Sequence, residues 1–586
     1  MQRVLPMIAY RIEPLDLHAH LYRVRLRIPA PEAVQRLSLP VWIPGSYLMR
    51  EFARHLQGLT ARQGGQARPV EQLDKASWQV RCQGRAALEV SYEVYAFDNS
   101  VRAAWLDATR GFFNGTSVFL RVEGREDEPH AVEIRQLPRG WQVATALPAV
   151  QVDARGQGRY EAAGYDELVD HPVELGAFWR GQFRAAGVAH EFVVAGALPG
   201  FDGERLLADA KRICEAQIRF WHGRRKPPFG RYVFLLNAVD DGYGGLEHRA
   251  STALICSRRD LPRRGEAGAS DGYVTLLGLI SHEYFHTWNV KRLRPAEFAR
   301  YDYARENYTE LLWFFEGFTS YYDDLFLVRT GLVDEARYLK LLARTVGNVL
   351  ATPGRRVQSV AQASFDAWVK YYRQDENTVN ATVSYYTKGS LVALALDLTL
   401  RAQRRGTLDD VMRLLWARSG GGPVGEADIA AALKEVGGRP YTRELSRWVH
   451  GTQDLPLEAL LREVGVQWSV QPPPWPLRLG LRTADGNGSV KVRAVMRGQW
   501  AERVGLAAGD ELLAVNDWRL RKLDDLELYA VEGEPVELLV GRDQRLLRLR
   551  AVLPGRDEAR ANVALAVQEG APAAAVARRK AWLGAR

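Results

Sequence analysis

Two apolar segments with charged side chains at their centres constrain the fold of this 586-residue chain more than any other feature. The first runs from Leu279 to Trp288 and contains His282, Glu283 and His286. On an α-helix, residues four apart lie on the same face, so the two imidazoles are neighbours. Two histidines at this spacing bind one metal ion, and the adjacent glutamate reaches a water on that ion. The segment therefore predicts a helix with a metal site on one face.

The second segment, residues 312–322, is apolar almost all round and is predicted to be a buried helix. Its carboxylate, Glu316, is costly to bury unless it is paired or bound to metal. With His282 and His286 it completes a His₂Glu zinc set, which leaves a fourth position open for water. The alternative is that the histidines lie on a helix surface and Glu316 pairs with an arginine. Because both helices fit the motif, the sequence favours one zinc ion per chain.

The order of the motifs along the chain resembles one family of metallopeptidases. The HEYFH sequence of residues 282–286 is followed by WNVKR at 288–292 and by W-x-x-E-G-F-T at 313–319. This order is similar to the glycyl aminopeptidase family of gluzincins, relatives of thermolysin and aminopeptidase N, and the resemblance runs nearly end to end. The long Arg- and Tyr-rich loop between the ligand helices, residues 291–308, also matches that branch. The resemblance implies a zinc aminopeptidase that removes small N-terminal residues, glycine or alanine.

The resemblance also implies roles for two catalytic side chains. Glu283 is expected to take the proton of the attacking water and to deliver it to the leaving amine. The tetrahedral intermediate needs a further electrophile besides the metal. Residues 383–390 resemble the Tyr-x-Lys-Gly signature of aminopeptidase N relatives, in which a tyrosine hydroxyl donates a hydrogen bond to the oxyanion. The register favours Tyr386 for this role, with Tyr385 and an ordinary buried aromatic as the alternatives.

A Gly-rich segment upstream predicts the substrate-binding strand. Residues 244–251 resemble the Gly-x-Met-Glu-Asn element, an edge strand that pairs with the substrate backbone in aminopeptidases. Gly244 and Gly245 allow a peptide to approach closely. Glu247 is expected to hold the free α-ammonium through a charge-assisted bond. His248 stands where asparagine is usual, and a loop histidine without a substrate role is its favoured interpretation.

The whole chain predicts a multidomain α+β fold, because its length exceeds what one hydrophobic core spans. Alternating apolar residues at 22–28 and 88–94 indicate strands of an N-terminal β-sandwich-like domain over residues 1–170. Within it, residues 42–47 (WIPGSY) resemble the family's N-terminal domain and predict structural support and one wall of the cleft. Residues 171–470 are predicted to form a thermolysin-like catalytic domain, a small mixed lobe followed by a helical lobe.

The C-terminal part predicts a further domain and a tail. Consecutive prolines at 472–474 favour a stiff spacer. Over residues 471–560, the stretch AERVGLAAGDELLAVN resembles a bacterial PDZ domain, either a module that binds peptide ends or a structural part. Trp500 stands where proline is usual in that pattern. Residues 561–586 are Ala-rich and basic and are predicted to form a tail, with a frayed helix over residues 570–586.

The composition limits the classes of binding partner and the cellular location that can be expected. The net charge is +9, but Lys and Arg are scattered without a basic run, which argues against nucleic-acid binding. The sequence shows no stretch of membrane-spanning length and no signal-peptide core, and three widely spaced cysteines fit the cytoplasm. The expected partners are peptides with a free N-terminus and a peptide or protein end at the PDZ domain. A thermolysin-like endopeptidase and a catalytically inactive PDZ scaffold are the alternatives, and the sequence leaves the oligomeric state open.

Overall fold

Strands dominate the first half of the chain and helices the second. The computed structural model describes residues 7–486, 488–555 and 562–584. These residues divide into two units, residues 7–307 with 419–423, and residues 308–418 with 424–584. This division does not test the predicted domain boundaries at residues 170 and 470, which stay predictions.

The N-terminal part of the first unit consists of three sheets. Its elements are β1 (Ile8–Asp16), β2 (Leu21–Ile28), β3 (Val34–Ser38), β4 (Leu56–Gln63), β5 (Gln66–Arg68), β6 (Val70–Asp74), β7 (Ser77–Arg81), β8 (Leu88–Tyr95), β9 (Ala104–Leu106), β10 (Arg110–Phe113), α1 (Gly115–Val118), β11 (Arg121–Val122), β12 (His130–Ile134), β13 (Gln142–Ala144), β14 (Ala149–Val152), β15 (Gly158–Ala162), α2 (Tyr165–Val169) and β16 (Val173–Gly176). The strand orders are β14-β15-β12-β1-β2-β8-β4-β5, β13-β16-β10-β9 and β11-β3-β7-β6. β2 and β8 confirm the two strands predicted from alternation.

Buried aromatic side chains hold these sheets together. Tyr10, Tyr92 and Tyr165 lie in one apolar core. Their hydroxyls donate hydrogen bonds of 2.6–2.8 Å to three successive carbonyls, those of residues 118–120. A buried hydroxyl has to be hydrogen-bonded, and these bonds meet that need.

The first unit continues into a mixed sheet that carries the first motif helix. Its elements are β17 (Trp179–Ala185), β18 (Val188–Ala195), α3 (Gly203–His222), β19 (Arg231–Val239), β20 (Tyr243–Glu247), β21 (Ser251–Ser257) and α4 (Asp271–Phe285). The order is β17-β18-β19-β21-β20, in which β18, β19 and β21 are parallel and β17 and β20 are antiparallel edge strands. α4 contacts β20, β21 and α3. The edge strand β20 therefore lies beside the helix that carries the two motif histidines.

The second unit is mainly helical. Its helices are α5 (Leu312–Arg329), α6 (Glu335–Leu350), α7 (Val360–Phe365), α8 (Thr378–Ala381), α9 (Thr387–Gln403), α10 (Leu408–Ser419), α11 (Glu426–Gly437), α12 (Thr442–Trp448), α13 (Leu457–Glu463), α14 (Trp475–Leu479), α15 (Trp500–Val504), α16 (Leu526–Tyr529) and α17 (Ala573–Leu583). The second motif segment forms α5, which packs closely on α9. Among the described residues, no helix combines the length and apolarity that crossing a bilayer requires.

In the sequence, an antiparallel sheet lies between β22 and β29, two strands of the second unit that pair with each other. The strands are β22 (Val466–Val470), β23 (Leu481–Gly486), β24 (Ser489–Val495), β25 (Glu511–Val515), β26 (Trp518–Arg519), β27 (Pro535–Arg542), β28 (Arg545–Val552) and β29 (Val563–Val567). The sheet order is β23-β24-β25-β27-β28, and β26 pairs with β25. Trp500 is buried, and its indole N–H donates to the Val552 carbonyl at 2.7 Å. The PDZ assignment of this region stays a prediction.

The structure describes residues 562–584 of the predicted tail, and they form a strand and a helix. β29 pairs antiparallel with β22, and α17 follows it. Trp582 is fully buried and donates its indole N–H to the Tyr321 hydroxyl at 2.9 Å. Arg579 lies 2.5 Å from the Glu335 carboxylate. An Ala-rich, basic composition concealed an apolar helix face that packs on α5.

Candidate active site

The two motif histidines lie at the C-terminal end of α4. Their Nε2 atoms are 3.0 Å apart. The His286 Nδ1 atom lies 2.7 Å from the Asn289 carbonyl oxygen. A carbonyl only accepts, so Nδ1 carries the proton and the Nε2 lone pair faces His282. Two nitrogens on a tetrahedral zinc, with bonds of about 2.0–2.1 Å, lie about 3.3 Å apart, so this pair fits the ion.

The turn after α4 keeps this orientation under backbone strain. Val290 has a φ angle of 133°. That region is rarely adopted by a β-branched residue. The Lys291 N–H donates to the His286 carbonyl at 3.1 Å, which closes the turn. Strain of this kind persists only where the surroundings over-determine the conformation, and it is concentrated at functional sites.

A buried ion pair anchors the same turn. Lys291 Nζ lies 2.7 Å from Asp170 Oδ1, and both side chains are buried. Burial opposes ionisation of Asp170, but Lys291, Arg249 and His248 hold the pKa of its carboxyl well below the usual value. His248 Nδ1 lies 3.3 Å from the same Asp170 oxygen. This contact gives His248 a structural partner. The sequence motifs gave no sign of Asp170, and they included Lys291 in WNVKR without a role.

At both predicted glycines of β20, the structure leaves no room or no favourable backbone conformation for a larger residue. Gly244 has a φ angle of 152°, which favours glycine. A Cβ atom at Gly245 would lie 2.2 Å from Glu283 Oε1, so a side chain there would displace the carboxylate. The outer edge of β20 pairs with no other strand among the described residues. The strand therefore offers its backbone beside Glu283.

Glu247, at the end of β20, is a buried carboxylate with one oxygen left unsatisfied by the described residues. It is 4 % exposed, and its Oε1 atom has no hydrogen-bond partner among the described residues. One ligand atom each of Glu247, Glu283 and His286 lie within 4.8 Å of one another. A Cβ at Gly45 would lie 2.6 Å from both carboxylate oxygens, so the 42–47 loop covers this residue. An unsatisfied buried carboxylate of this kind is a site for a cation.

In the second unit, Glu316 and Tyr386 come from two helices that cross closely. A Cβ at Gly317 of α5 would lie 2.6 Å from the Gly389 Cα of α9, so the two glycines allow the contact. Glu316 is buried in the second turn of α5. Burial, and then the charge of Glu316, raise the pKa of Tyr386 well above its usual value. Tyr386 directly precedes α9, and the choice of Tyr386 over Tyr385 stays a prediction.

The structure thus brings His282, Glu283, His286, Gly244, Gly245 and Glu247 together in the first unit. It brings Glu316 and Tyr386 together in the second unit. Tyr385 is fully buried, and the Tyr386 hydroxyl lies 3.4 Å from the Tyr372 hydroxyl. The catalytic roles of all these residues remain predictions.

Comparison with known proteins assigns the chain to a family. Residues 9–177 match the Peptidase M61 N-terminal domain, and residues 275–392 match the M61 glycyl aminopeptidase model. The crystal structure of an aminopeptidase N family protein from Idiomarina loihiensis is 38 % identical, covers 98 % of this chain and 100 % of that chain, and has a TM-score of 0.93. The chain belongs to the M61 glycyl aminopeptidase family. This membership confirms the prediction of an enzyme, a metallopeptidase of the aminopeptidase class.

Two M1 zinc metallopeptidase structures also match this M61 enzyme at a lower level of similarity. The M1 zinc metallopeptidase from Deinococcus radiodurans is 16 % identical and covers 78 % of this chain and 96 % of its own, with a TM-score of 0.48. A two-domain M1 zinc metallopeptidase bound to L-arginine is 15 % identical and covers 77 % and 95 %, with a TM-score of 0.47. Likeness at this level does not bear on function. None of the curated proteins matches the chain.

Proposed function

We propose that this M61 enzyme is a zinc-dependent aminopeptidase that hydrolyses the first peptide bond of peptides with an N-terminal glycine or alanine. The observation that carries the proposal is Glu247, a buried carboxylate with an unsatisfied oxygen beside Glu283 and His286. An exopeptidase has to recognise the substrate ammonium at a fixed distance from the scissile carbonyl. A buried carboxylate next to the proton-transfer group meets that need. The glycyl aminopeptidase description of the matching family model supports the preference for a small residue.

His282, His286 and Glu316 are proposed to hold one zinc ion per chain. Two imidazole nitrogens and one carboxylate oxygen suit zinc, and they leave one position open. The separation of the two Nε2 atoms and the single proton position on His286 fit this role. When bound, zinc lowers the pKa of a water to about 7 and polarises the scissile carbonyl.

The protein's own side chains are proposed to move the protons and to place the substrate. Glu283 accepts a proton from the attacking water and passes it to the leaving amine. Gly244 and Gly245 hydrogen-bond the substrate backbone, and Glu247 binds its α-ammonium. Tyr386, whose pKa is raised by burial and by Glu316, stays protonated and donates to the oxyanion.

The C-terminal sheet is proposed to be a PDZ domain that binds a peptide or protein end. A PDZ domain binds a peptide by adding it as a strand to the edge of an antiparallel sheet. The strand β23 lies at the edge of this antiparallel sheet. A cytoplasmic location is also proposed, supported by three cysteines that are free thiols.

The test is a set of peptides that differ only in the N-terminal residue and in N-acetylation. Free glycyl and alanyl peptides should be cleaved at the first bond, and acetylated peptides should be poor substrates. A charge-assisted bond contributes roughly 1.5–3 kcal/mol, so Glu247→Gln should lower kcat/KM about ten- to a hundredfold on free amines. Zinc content should stay near one per chain in Glu247→Gln and be lost in His286→Ala.

Two outcomes would contradict the proposal. Efficient cleavage of acetylated peptides at internal bonds, unchanged by Glu247→Gln, would identify a thermolysin-like endopeptidase. The absence of any cleavage by the zinc-loaded chain would identify an inactive scaffold.

A further inference from the structure

A second charged side chain reaches the edge strand β20 from the N-terminal sheets. Arg102 Nη2 donates to the Gly245 carbonyl at 3.3 Å. Both terminal guanidinium nitrogens lie 3.8 Å from the position that a Cβ at Gly244 would take. The Arg102 backbone is fixed by its buried neighbours Val101 and Ala103 and by a 3.2 Å hydrogen bond from its N–H to Ser100 Oγ. The guanidinium is therefore held against the backbone that is proposed to bind substrate.

Within the described residues, the guanidinium of Arg102 has neither an ion-pair partner nor a full set of hydrogen bonds. Among the described residues, no carboxylate forms an ion pair with Arg102. Its Nε atom is buried and has no hydrogen-bond partner within the described part of the chain. Buried N–H groups are normally hydrogen-bonded, and the planar fork of arginine matches a carboxylate. The position thus resembles that of Glu247, with the opposite charge.

Arg102 and Glu247 mark two points along one strand. Arg102 contacts β20 at Gly244 and Gly245, and Glu247 ends the strand. Each strand residue advances about 3.3 Å, so the two charges lie roughly 7–10 Å apart along β20. An extended peptide with its ammonium at Glu247 has the carboxylate of its second or third residue at a similar distance.

We propose that Arg102 binds the C-terminal carboxylate of the substrate, so that this aminopeptidase prefers dipeptides and tripeptides. The inference rests on the proposed function, because it takes Glu247 as the ammonium site. Two opposite charges at a fixed spacing recognise both ends of a short zwitterionic peptide. Longer or C-terminally amidated peptides lose the second contact and bind more weakly.

The experiment compares glycyl dipeptides and tripeptides as free acids and as C-terminal amides, using the zinc-loaded full chain. Free acids should have a kcat/KM about ten- to a hundredfold above that of the amides, mainly through KM, because the contact is made before and during reaction. Arg102→Gln should remove this difference by lowering kcat/KM on the acids alone. Unchanged turnover of the amides shows that the variant is folded. Arg62→Gln, an exposed arginine of β4, is the matched control and should keep the difference.

Other results would overturn the inference. An equal loss on acids and amides in Arg102→Gln would mean that the side chain only supports the Gly245 backbone. Equal rates on acids and amides in the wild type, with cleavage of both, would overturn the role of Arg102 alone. Failure to cleave any peptide with a free amine would overturn the proposed function together with this inference.

Discussion

At the scale of single residues, the choice between two adjacent tyrosines is the sharpest test of the catalytic assignment. Removing one oxyanion donor typically costs about a hundred- to a thousandfold in turnover. Tyr386→Phe should therefore lower kcat by about that factor, with zinc content unchanged. Tyr385→Phe is the matched control and should change kcat little, since the Tyr-x-Lys-Gly register gives the oxyanion role to Tyr386. Steady-state kinetics of both variants decide the question, and the reverse pattern would move the role to Tyr385.

The residues that sequence predicted are those whose chemistry needs a given type at a given spacing. His282 and His286 follow from the helical repeat, and Gly245 from the close approach of a substrate peptide to an edge strand. Arg102 was not predictable in this way, because it lies 143 residues before the carbonyl it contacts. No local sequence pattern identifies an arginine whose proposed role depends only on its contact with a distant strand.

At the scale of elements, the crossing of α5 and α9 depends on two glycines. A Cβ at Gly389 would lie 2.6 Å from the Trp313 carbonyl oxygen and 2.9 Å from the Gly317 Cα, and backbone atoms cannot move aside cheaply. Gly389→Ala should therefore lower the free energy of unfolding by about 1–3 kcal/mol, as overpacking does. Because α9 begins directly after Tyr386, kcat should fall as well. Urea unfolding and kinetics measure both effects.

Gly200→Ala is the control for that substitution. A Cβ at Gly200 would meet no atom within 4 Å. The free energy of unfolding and kcat should therefore change little. Similar losses in the two alanine variants would contradict the close-crossing explanation.

Elements with a strong period were predicted well, and elements defined by distant pairing were not. β2 and β8 closely match the strands predicted over 22–28 and 88–94. β29 was not predicted, because its partner strand β22 is separated from it in the sequence by all the strands of the intervening sheet. The Ala- and Arg-rich composition predicted a frayed helix at the end of the chain, and its packing was not predictable because it depends on the burial of Trp582.

At the scale of the whole molecule, shared cores explain why the chain divides at residue 307 rather than at residue 170. Val193, Val233 and Leu246 of the mixed sheet lie in the same apolar cluster as Tyr10 of the N-terminal sheets. Sequence patterns identify the change from one sheet type to another near residue 170. They do not show whether the apolar faces on the two sides of that change pack together.

Buried histidines should make the whole fold sensitive to acid. Burial lowers the pKa of His171 and of His190 to about 4. The neutral His190 ring donates from Nδ1 to the Val188 carbonyl at 3.0 Å and accepts from the Tyr284 hydroxyl at 2.8 Å. In the unfolded chain a histidine has a pKa of about 6.5, so between that pH and about 4 the unfolded state binds more protons.

Stability is therefore expected to fall as the pH drops through that window, by up to about 1.4 kcal/mol per pH unit for each such histidine. Urea unfolding of the zinc-loaded chain between pH 7.5 and 4.5 measures the slope. His190→Gln removes one titrating group, so its free energy of unfolding should depend less steeply on pH than that of the wild type, whatever its value at pH 7.5. Identical slopes for the two proteins would mean that the acid sensitivity arises elsewhere, because a buried neutral ring has to contribute over this range.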